Sequence, residues 1–121
     1  IYGFINLSLV DSNSKKINFI TKVSQELNLR VNIINSRIED IINLKFDYIV
    51  SRALAKLDKL LFYSSFISHN KTKLVFLKGE KLQEEIQSAK KNWMFRFLIK
   101  NSISDKRGRV IAINNFKKKY D

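Results

Sequence analysis

Polar side chains follow four apolar runs of this sequence, at the point where each run ends. They are Asp11–Ser12, Asn35–Arg37, Ser51–Arg52 and Lys78. A carboxylate at the end of a strand can accept hydrogen bonds from the hydroxyls of a ribose, and Arg and Lys bind phosphates. In an open α/β sheet, ligands bind at the carboxyl ends of the strands. This grouping is the first functional evidence in the sequence.

The elements that must position these side chains alternate between strands and helices. Short apolar runs predict four strands, at Leu7–Val10, Val31–Ile34, Asp47–Ser51 and Leu74–Leu77. The spacing of apolar residues predicts one helix from an N-cap at Ser12 to about Asn28 and another over Glu80–Lys91. A third predicted helix follows the strand at Asp47–Ser51, and its inner face consists of Leu54, Leu57, Leu60, Leu61 and Ile67.

The remaining segments complete an α/β pattern. Ile38–Asn43 has the length of one or two helical turns, and Ser68–Thr72 is a polar connection that contains His69, to which we assign no chemistry. Two more strands and the turn between them are predicted at Trp93–Ile99, Arg109–Asn114 and Ser104–Gly108. This order predicts a sheet that is parallel at first and ends in an antiparallel hairpin. Because no repeat or Pro/Gly-rich linker divides the chain, residues 1–121 are predicted to form a single domain.

Composition excludes several classes of protein. The chain has 121 residues, of which 45% are hydrophobic, which suits one small domain with a buried core. It has no Cys, which excludes disulfides, thiolate metal sites and hydrolases with a Cys nucleophile, and its single His disfavours a His-based metal site. No apolar run approaches the ~20 residues of a membrane span, and the N-terminus lacks the pattern of a signal peptide. We therefore predict a soluble, cytoplasmic protein without a metal or membrane partner.

The chain is strongly basic, with 23 Lys and Arg residues against 11 Asp and Glu residues and a net charge of +12. Such a charge suits a polyanion such as RNA, whose phosphates attract Lys and Arg through the release of counterions. The abundance of Lys, Asn and Ile is also typical of proteins from AT-rich genomes. Since the basic residues form several small clusters rather than one face, the charge alone leaves both explanations open.

Four segments of the chain have a distinctive order and spacing. LVDSNSKKINFI, SRIED, FDYIVSRALAKL and VFLKGE together resemble the glucose-inhibited division protein B family, over about residues 7 to 114. That family consists of 16S rRNA guanine-N7 methyltransferases that use S-adenosylmethionine. Each motif is weak alone, whereas their combination is specific. The resemblance implies the Rossmann-like sheet of class I S-adenosylmethionine methyltransferases, with guanine 527 of 16S rRNA as the target.

The resemblance also implies which residues bind the cofactor. It assigns Asp11 and Ser12 to the ribose, whose hydroxyls a carboxylate can bind. It puts Ile38 and Glu39 beside the adenine ring, where an aliphatic side chain covers the ring face and polar groups meet its edge. Simpler roles stay open for both pairs: Asp11 and Ser12 can cap the following helix, and Ile38 and Glu39 can form an ordinary turn.

Arg52 has the central role that the resemblance implies, because it closes the strand where the methyl donor and the target base meet. The resemblance implies that Arg52 is the catalytic residue and that it also binds the cofactor. Methyl transfer to guanine N7 needs no general base, because N7 has a free lone pair that must only be aligned with the methyl group. Arg suits this task because it binds the O6 and N7 atoms of guanine well. A surface ion pair is the alternative role.

Three further cations match family positions around the mouth of the site. The resemblance implies that Lys15, Arg37 and Lys78 hold phosphates of 16S rRNA and orient the target nucleotide. Solvated charge stays the alternative for Lys15 and Lys78. The Asp/Asn-Pro-Pro-aromatic motif of amino-group methyltransferases is absent, since the chain has no Pro, and this argues against an exocyclic amine as the target.

The start of the sequence departs from the family. Methyltransferases of this class open with a strand and a Gly-rich loop, whereas this chain has only Gly3, Gly79 and Gly108. We therefore expect a C-terminal fragment that lacks the first strand, leaves the strands at Leu7–Val10 and Asp47–Ser51 with unpaired edges, and is inactive alone. Two alternatives remain. One is a non-catalytic RNA-binding module without a donor site. The other is a flavodoxin-like regulatory domain, which the lone Asp11 fits poorly.

Overall fold

The structure is a computed structural model, which describes residues 7–28, 31–52, 55–101 and 107–119. The chain divides into two compact units, residues 1–42 and residues 43–121. In unit 1, strand β1 (Leu7–Asp11) is followed by helix α1 (Ser14–Glu26), strand β2 (Val31–Asn35) and a short 3-10 helix (Ile38–Asp40). β1 and β2 form a two-stranded parallel sheet. The prediction of a single domain stays a prediction.

Unit 2 contains a four-stranded sheet with two helices. Its elements in chain order are β3 (Phe46–Arg52), α2 (Leu57–Ser65), β4 (Ser68–Lys78), α3 (Leu82–Ala89), β5 (Trp93–Asn101) and β6 (Arg109–Lys118). The strand order is β3-β4-β6-β5, in which β3 and β4 are parallel and the other two pairs are antiparallel. The predicted α/β class, with parallel strands before an antiparallel hairpin, is therefore confirmed. Within the described residues, β1 pairs with β2 alone and β3 pairs with β4 alone.

The core of unit 2 forms where one face of the sheet meets α2 and α3. The inward residues of the strands alternate, as the period of two requires, and include Leu74, Phe76, Ile111 and Ile113. The helices add residues at helical spacing, namely Leu57, Leu60, Leu61, Leu82, Ile86 and Ala89. The predicted inner face of α2 is thus confirmed for Leu57, Leu60 and Leu61, whereas Leu54 lies outside the described residues. Ile67 is also buried, but it follows the end of the helix.

The N-cap of the first helix lies one residue later than predicted. Asn13, rather than Ser12, is the N-cap of α1, and its side-chain oxygen accepts hydrogen bonds from the backbone N–H groups of Lys15 and Lys16 at 2.9 and 3.2 Å. The prediction of Ser12 was wrong because Asp11 takes part in the turn. Its Oδ1 accepts the N–H of Asn13 at 2.8 Å, which moves the capping position one residue along the chain.

The fourth predicted strand is longer than its apolar run. β4 begins at Ser68, so the interpretation of Ser68–Thr72 as a connection was wrong. Phe46 pairs with Ser68 and Tyr48 with Lys73, so that extra residues of β4 bulge between these two pairs. Thr72 turns inward within the bulge, where it is 1% exposed and its hydroxyl donates to the carbonyl of Phe46 at 2.6 Å. The polar composition of Ser68–Thr72 did not predict a strand, because the hydrogen bonds of its side chains to other residues cannot be read from the sequence.

The other boundaries differ from the predictions by a few residues. The predicted helix over Glu80–Lys91 is present as α3, and both C-terminal strands are present, with β6 extending beyond its predicted end to Lys118. Residues 104–106 of the predicted turn lie outside the described residues. No helix in the described part of the chain is long and apolar enough to cross a membrane.

We predict that Asn13→Ala destabilises unit 1 by about 1 kcal/mol, because the first turn of α1 then loses its side-chain acceptor. Hydrogen exchange of the α1 amides should report this as faster opening of the helix. Ser12→Ala is the matched control and should leave exchange close to that of the unmodified chain. A larger effect for Ser12→Ala than for Asn13→Ala would contradict the assignment of the cap.

Candidate functional site

The carboxyl ends of β1 and β2 lie level with each other in unit 1. Asp11 is the register partner of Asn35, and the N–H of Ser36 donates to the carbonyl of Asp11 at 3.1 Å. The amide of Asn35 also donates to the hydroxyl of Ser14 at 3.2 Å. These bonds tie the segment after β2 to the end of β1 and to the first turn of α1. The strand ends therefore form one edge that presents the residues following both strands.

The carboxylate of Asp11 is held at this edge without being enclosed. Its side chain is 33% exposed, one oxygen accepts the Asn13 N–H, and the other lies 3.9 Å from the ammonium of Lys16. Asp11 therefore does have a local structural role, as the sequence left open. That role is in the turn before α1 and not in the cap of the helix. A loosely paired, accessible carboxylate oxygen can still accept hydrogen bonds from hydroxyl groups. Ser12, the next residue, is exposed.

The predicted turn after β2 is the 3-10 helix at Ile38–Asp40. Its hydrogen bonds run from the N–H of Asp40 to the carbonyl of Arg37 and from the N–H of Ile41 to the carbonyl of Ile38, both at 3.1 Å. Ile38 is half-buried, while Arg37 and Glu39 are exposed. The turn thus offers a partly accessible aliphatic surface next to a carboxylate, which suits the face and the edge of an aromatic ring. Unit 1 therefore brings Asp11, Ser12, Arg37, Ile38 and Glu39 to one edge.

A row of cationic residues crosses three neighbouring strand ends in unit 2. Arg52 is the register partner of Leu77, and the next residue of β4, Lys78, is the partner of Arg109 on β6. Arg52 is exposed, whereas Arg109 is half-buried and its guanidinium donates to the carbonyl of Gly108 at 2.9 Å. Sequence reasoning missed Arg109 as a member of this row. The signal was the basic cluster at 106–109, but only the antiparallel return of β6 puts its last residue beside Lys78.

Lys78 differs from its predicted role. Its side chain is 4% exposed and lies 2.9 Å from the carboxylate of Glu85, and its ammonium donates to the carbonyl of Ala55 at 2.7 Å. A buried, paired ammonium is a poor contact for an RNA phosphate, because it would have to leave these partners. The geometry therefore conflicts with the predicted RNA contact of Lys78. Lys15, by contrast, is exposed in the first turn of α1.

A separate open cleft of about 810 Å³ lies on unit 2. Its lining includes three lysines, two aromatic residues and none of the predicted site residues: Ala55, Lys56, Asp58, Lys59, Phe62, Asn92, Trp93 and Lys118. Within the described residues there is no group of three or more His, Asp or Glu side chains that could hold a metal ion.

Comparison with known proteins gives consistent matches over most of the chain. A family model described as rRNA small subunit methyltransferase G matches residues 3–112. The ribosomal RNA small subunit methyltransferase G of Mycoplasma mobile is 41% identical over 85 residues, which cover 70% of this chain and 38% of that protein. The protein of the same name from Rickettsia prowazekii is 35% identical over 118 residues, covering 98% of this chain and 61% of that protein. The chain thus spans less than two thirds of the length of these curated relatives.

Solved structures share the fold at low sequence identity. A ribosomal protein L11 methylase from Lactobacillus delbrueckii subsp. bulgaricus superposes with a TM-score of 0.72 and 15% identity, over 91% of this chain and 57% of that one. M. jannaschii TYW2, in complex with AdoMet, gives a TM-score of 0.63 and 13% identity, over 93% of this chain and 58% of that one. The fold is therefore that of the class I S-adenosylmethionine methyltransferases.

Proposed function

Because this chain belongs to the rRNA small subunit methyltransferase G family, we propose that it functions in the S-adenosylmethionine-dependent methylation of small-subunit rRNA. The observation that carries the proposal is the edge of unit 1, where an accessible carboxylate ends β1 and a partly exposed aliphatic turn follows β2. In sheets of this kind a nucleotide binds outside the carboxyl ends of the strands. The AdoMet complex among the structures that share the fold supports the choice of cofactor.

The residues of the unit 1 edge fit the nucleoside part of S-adenosylmethionine. Asp11 has one carboxylate oxygen that is only loosely paired with Lys16, at 3.9 Å, and this oxygen can accept a ribose hydroxyl. Exposed Ser12 lies beside it and can add a hydrogen bond. Ile38 would cover a face of the adenine, and Glu39 would accept a hydrogen bond at the edge of the ring.

When bound, the cofactor would supply the methyl group of its sulfonium to a nucleophilic nitrogen, and the sulfur would remain as a neutral thioether. We propose that the acceptor is N7 of guanine 527 in 16S rRNA, as the family resemblance implies. N7 carries a free lone pair, so the side chains need not remove a proton. The role left for Arg52 is to hold the base by its O6 atom so that the lone pair faces the methyl group. Exposure of Arg52 at the end of β3 supports this role.

Exposed cations of unit 1 would hold phosphates of the RNA. Lys15 and Arg37 are both exposed, one in the first turn of α1 and the other just before the 3-10 helix. Contacts of this kind to phosphates position an RNA without reading its sequence. The net charge of +12 adds a long-range attraction for the RNA. Because the substrate is ribosomal RNA, we propose that the protein acts in the cytoplasm.

A non-catalytic RNA-binding module is the second candidate function. The same net charge of +12 and the exposed lysines favour it, because neither feature requires a methyl donor. The two candidates differ in one property: only the methyltransferase needs to bind S-adenosylmethionine at the edge of unit 1.

We predict that isothermal titration shows binding of S-adenosylmethionine, and that Asp11→Asn lowers the affinity about tenfold or more. Asn keeps an oxygen for the Asn13 N–H but loses the negative charge, and hydrogen bonds to charged groups are the stronger ones. Glu26→Ala, at an exposed acidic position near the end of α1, is the control and should bind like the unmodified chain. Absence of any signal would favour the RNA-binding module, and equal affinity for Asp11→Asn would exclude Asp11 from the site.

We predict that Arg52→Lys lowers the rate of methyl transfer almost as much as Arg52→Ala, by about a hundredfold, in protein that is active on rRNA. Lys keeps the charge but lacks the planar fork that aligns a base, and a displacement of ~1 Å has an effect of this size. Single-turnover transfer at saturating RNA measures it. Arg96→Lys, at an exposed position on β5, is the control. If Arg52→Lys retains most of the rate, Arg52 acts only as a cation.

A further inference from the structure

Lys78, at the end of β4, contacts Ala55, which follows β3 in the sequence. Its ammonium donates to the carbonyl of Ala55 at 2.7 Å, and Ala55 lies three residues after Arg52 in the sequence. Arg52 is the last residue of β3 and pairs with Leu77, the residue before Lys78. The backbone of Arg52 is therefore held on one side by the sheet. On the other side, the Lys78 ammonium anchors the chain three residues downstream.

Glu85 completes this anchor from α3. Its Oε1 atom lies 2.9 Å from the ammonium of Lys78 and also accepts the N–H of Leu57 at 3.0 Å. Leu57 is the first residue of α2, whose N-cap, Lys56, makes no side-chain capping bond. The first N–H groups of a helix have no partner within the helix, so the carboxylate from α3 caps α2. One charge pair thus fixes both Ala55 and Leu57.

Burial distinguishes this pair from the other ion pairs of the described residues. The side chains of Lys78 and Glu85 are 4% and 16% exposed. The Lys16–Asp11, His69–Asp47 and Arg107–Glu80 pairs each include a largely exposed partner. A buried charge is stable only when it is paired and hydrogen-bonded. Releasing the Lys78 ammonium to an RNA phosphate would leave the Glu85 carboxylate buried without it.

We propose that Lys78 is a positioning residue for Arg52 and does not contact RNA. Lys78 acts together with Glu85, and the pair positions Arg52 by fixing residues 55–57. This inference rests on the function proposed for Arg52. Its structural content is that loss of the pair loosens the start of α2 and moves the side chain of Arg52. Its functional content is that the strength of RNA binding, and the dependence of that binding on salt, stay unchanged.

The test compares Lys78→Met and Glu85→Met by NMR with the unmodified chain. Both variants should accelerate exchange of the Leu57 amide by about tenfold or more. Glu85→Met removes the acceptor of the Leu57 N–H, and Lys78→Met removes the ammonium that holds this acceptor in place. Both variants should also shift the Arg52 side-chain Nε–H resonance. Lys73→Met is the matched control, since Lys73 is an exposed lysine of the same strand. It should leave both signals unchanged. An Arg52 resonance that stays at its original position in folded Lys78→Met would overturn the proposal.

Salt-dependent binding of a small-subunit rRNA fragment separates positioning from direct contact. Loss of a phosphate contact reduces the slope of log affinity against log salt by about one, which we expect for Lys15→Met but not for Lys78→Met. A reduced slope in Lys78→Met with an unchanged slope in Glu85→Met would mean that Lys78 binds RNA. If the unmodified chain binds no RNA, the proposed function fails, while the NMR signals still decide the positioning role.

A gentler variant keeps the proposal testable if Lys78→Met does not fold. Glu85→Gln retains the shape and an acceptor for the Leu57 N–H but removes the negative charge. Its Arg52 resonance should shift in the same direction as in Glu85→Met and by a smaller amount. A folded Glu85→Gln protein with an unshifted Arg52 resonance would also count against the proposal.

Discussion

Backbone pairing between parallel neighbouring strands determines where the candidate functional side chains lie. In unit 1 it sets Asp11 level with Asn35, and in unit 2 it sets Arg52 level with Leu77. Because side chains alternate between the two faces of a sheet, a slip of one residue would turn each of them to the opposite face. In unit 2, Ile49 of β3 packs against the core that β4, β6, α2 and α3 form, and this packing opposes such a slip of β3 along β4. Burial of the core and placement of Arg52 are therefore one requirement.

The same register places the ammonium of Lys78 in the interior of unit 2. Lys78 directly follows Leu77, and its position on the strand brings its ammonium towards α3 and the start of α2. Buried ion pairs add little stability relative to apolar residues of similar size, so we attribute to this pair a role in geometry. The Glu85 carboxylate meets an N–H of Leu57 that α2 itself leaves unbonded. A strand end, a loop and two helices are linked by two side chains.

The sequence predicted the features that arise from local pattern. In the described residues, the predicted strands located β1 to β6, and the polar residues at the ends of the apolar runs were correctly assigned to strand ends. The N-cap was missed by one residue, because Asp11 competes for the turn and only the hydrogen bonds decide between Ser12 and Asn13. The start of β4 was missed because inward-facing Thr72 finds its acceptor on another strand. The burial of Lys78 depends on Glu85, and no local pattern reports such a tertiary pair.

The proposed methyl transfer to a ring nitrogen would explain why the proposed site needs so few kinds of side chain. No proton has to be removed, so a general base such as His is not required, and the task is to align two molecules closely. Side chains at strand ends suit alignment, because the sheet fixes their backbone. Phosphate contacts have a weaker requirement, which exposed and flexible residues such as Lys15 can meet from a helix. A buried lysine meets neither requirement directly. Its remaining route to the chemistry is through the backbone that it holds, which is the role that we propose for Lys78 beside Arg52.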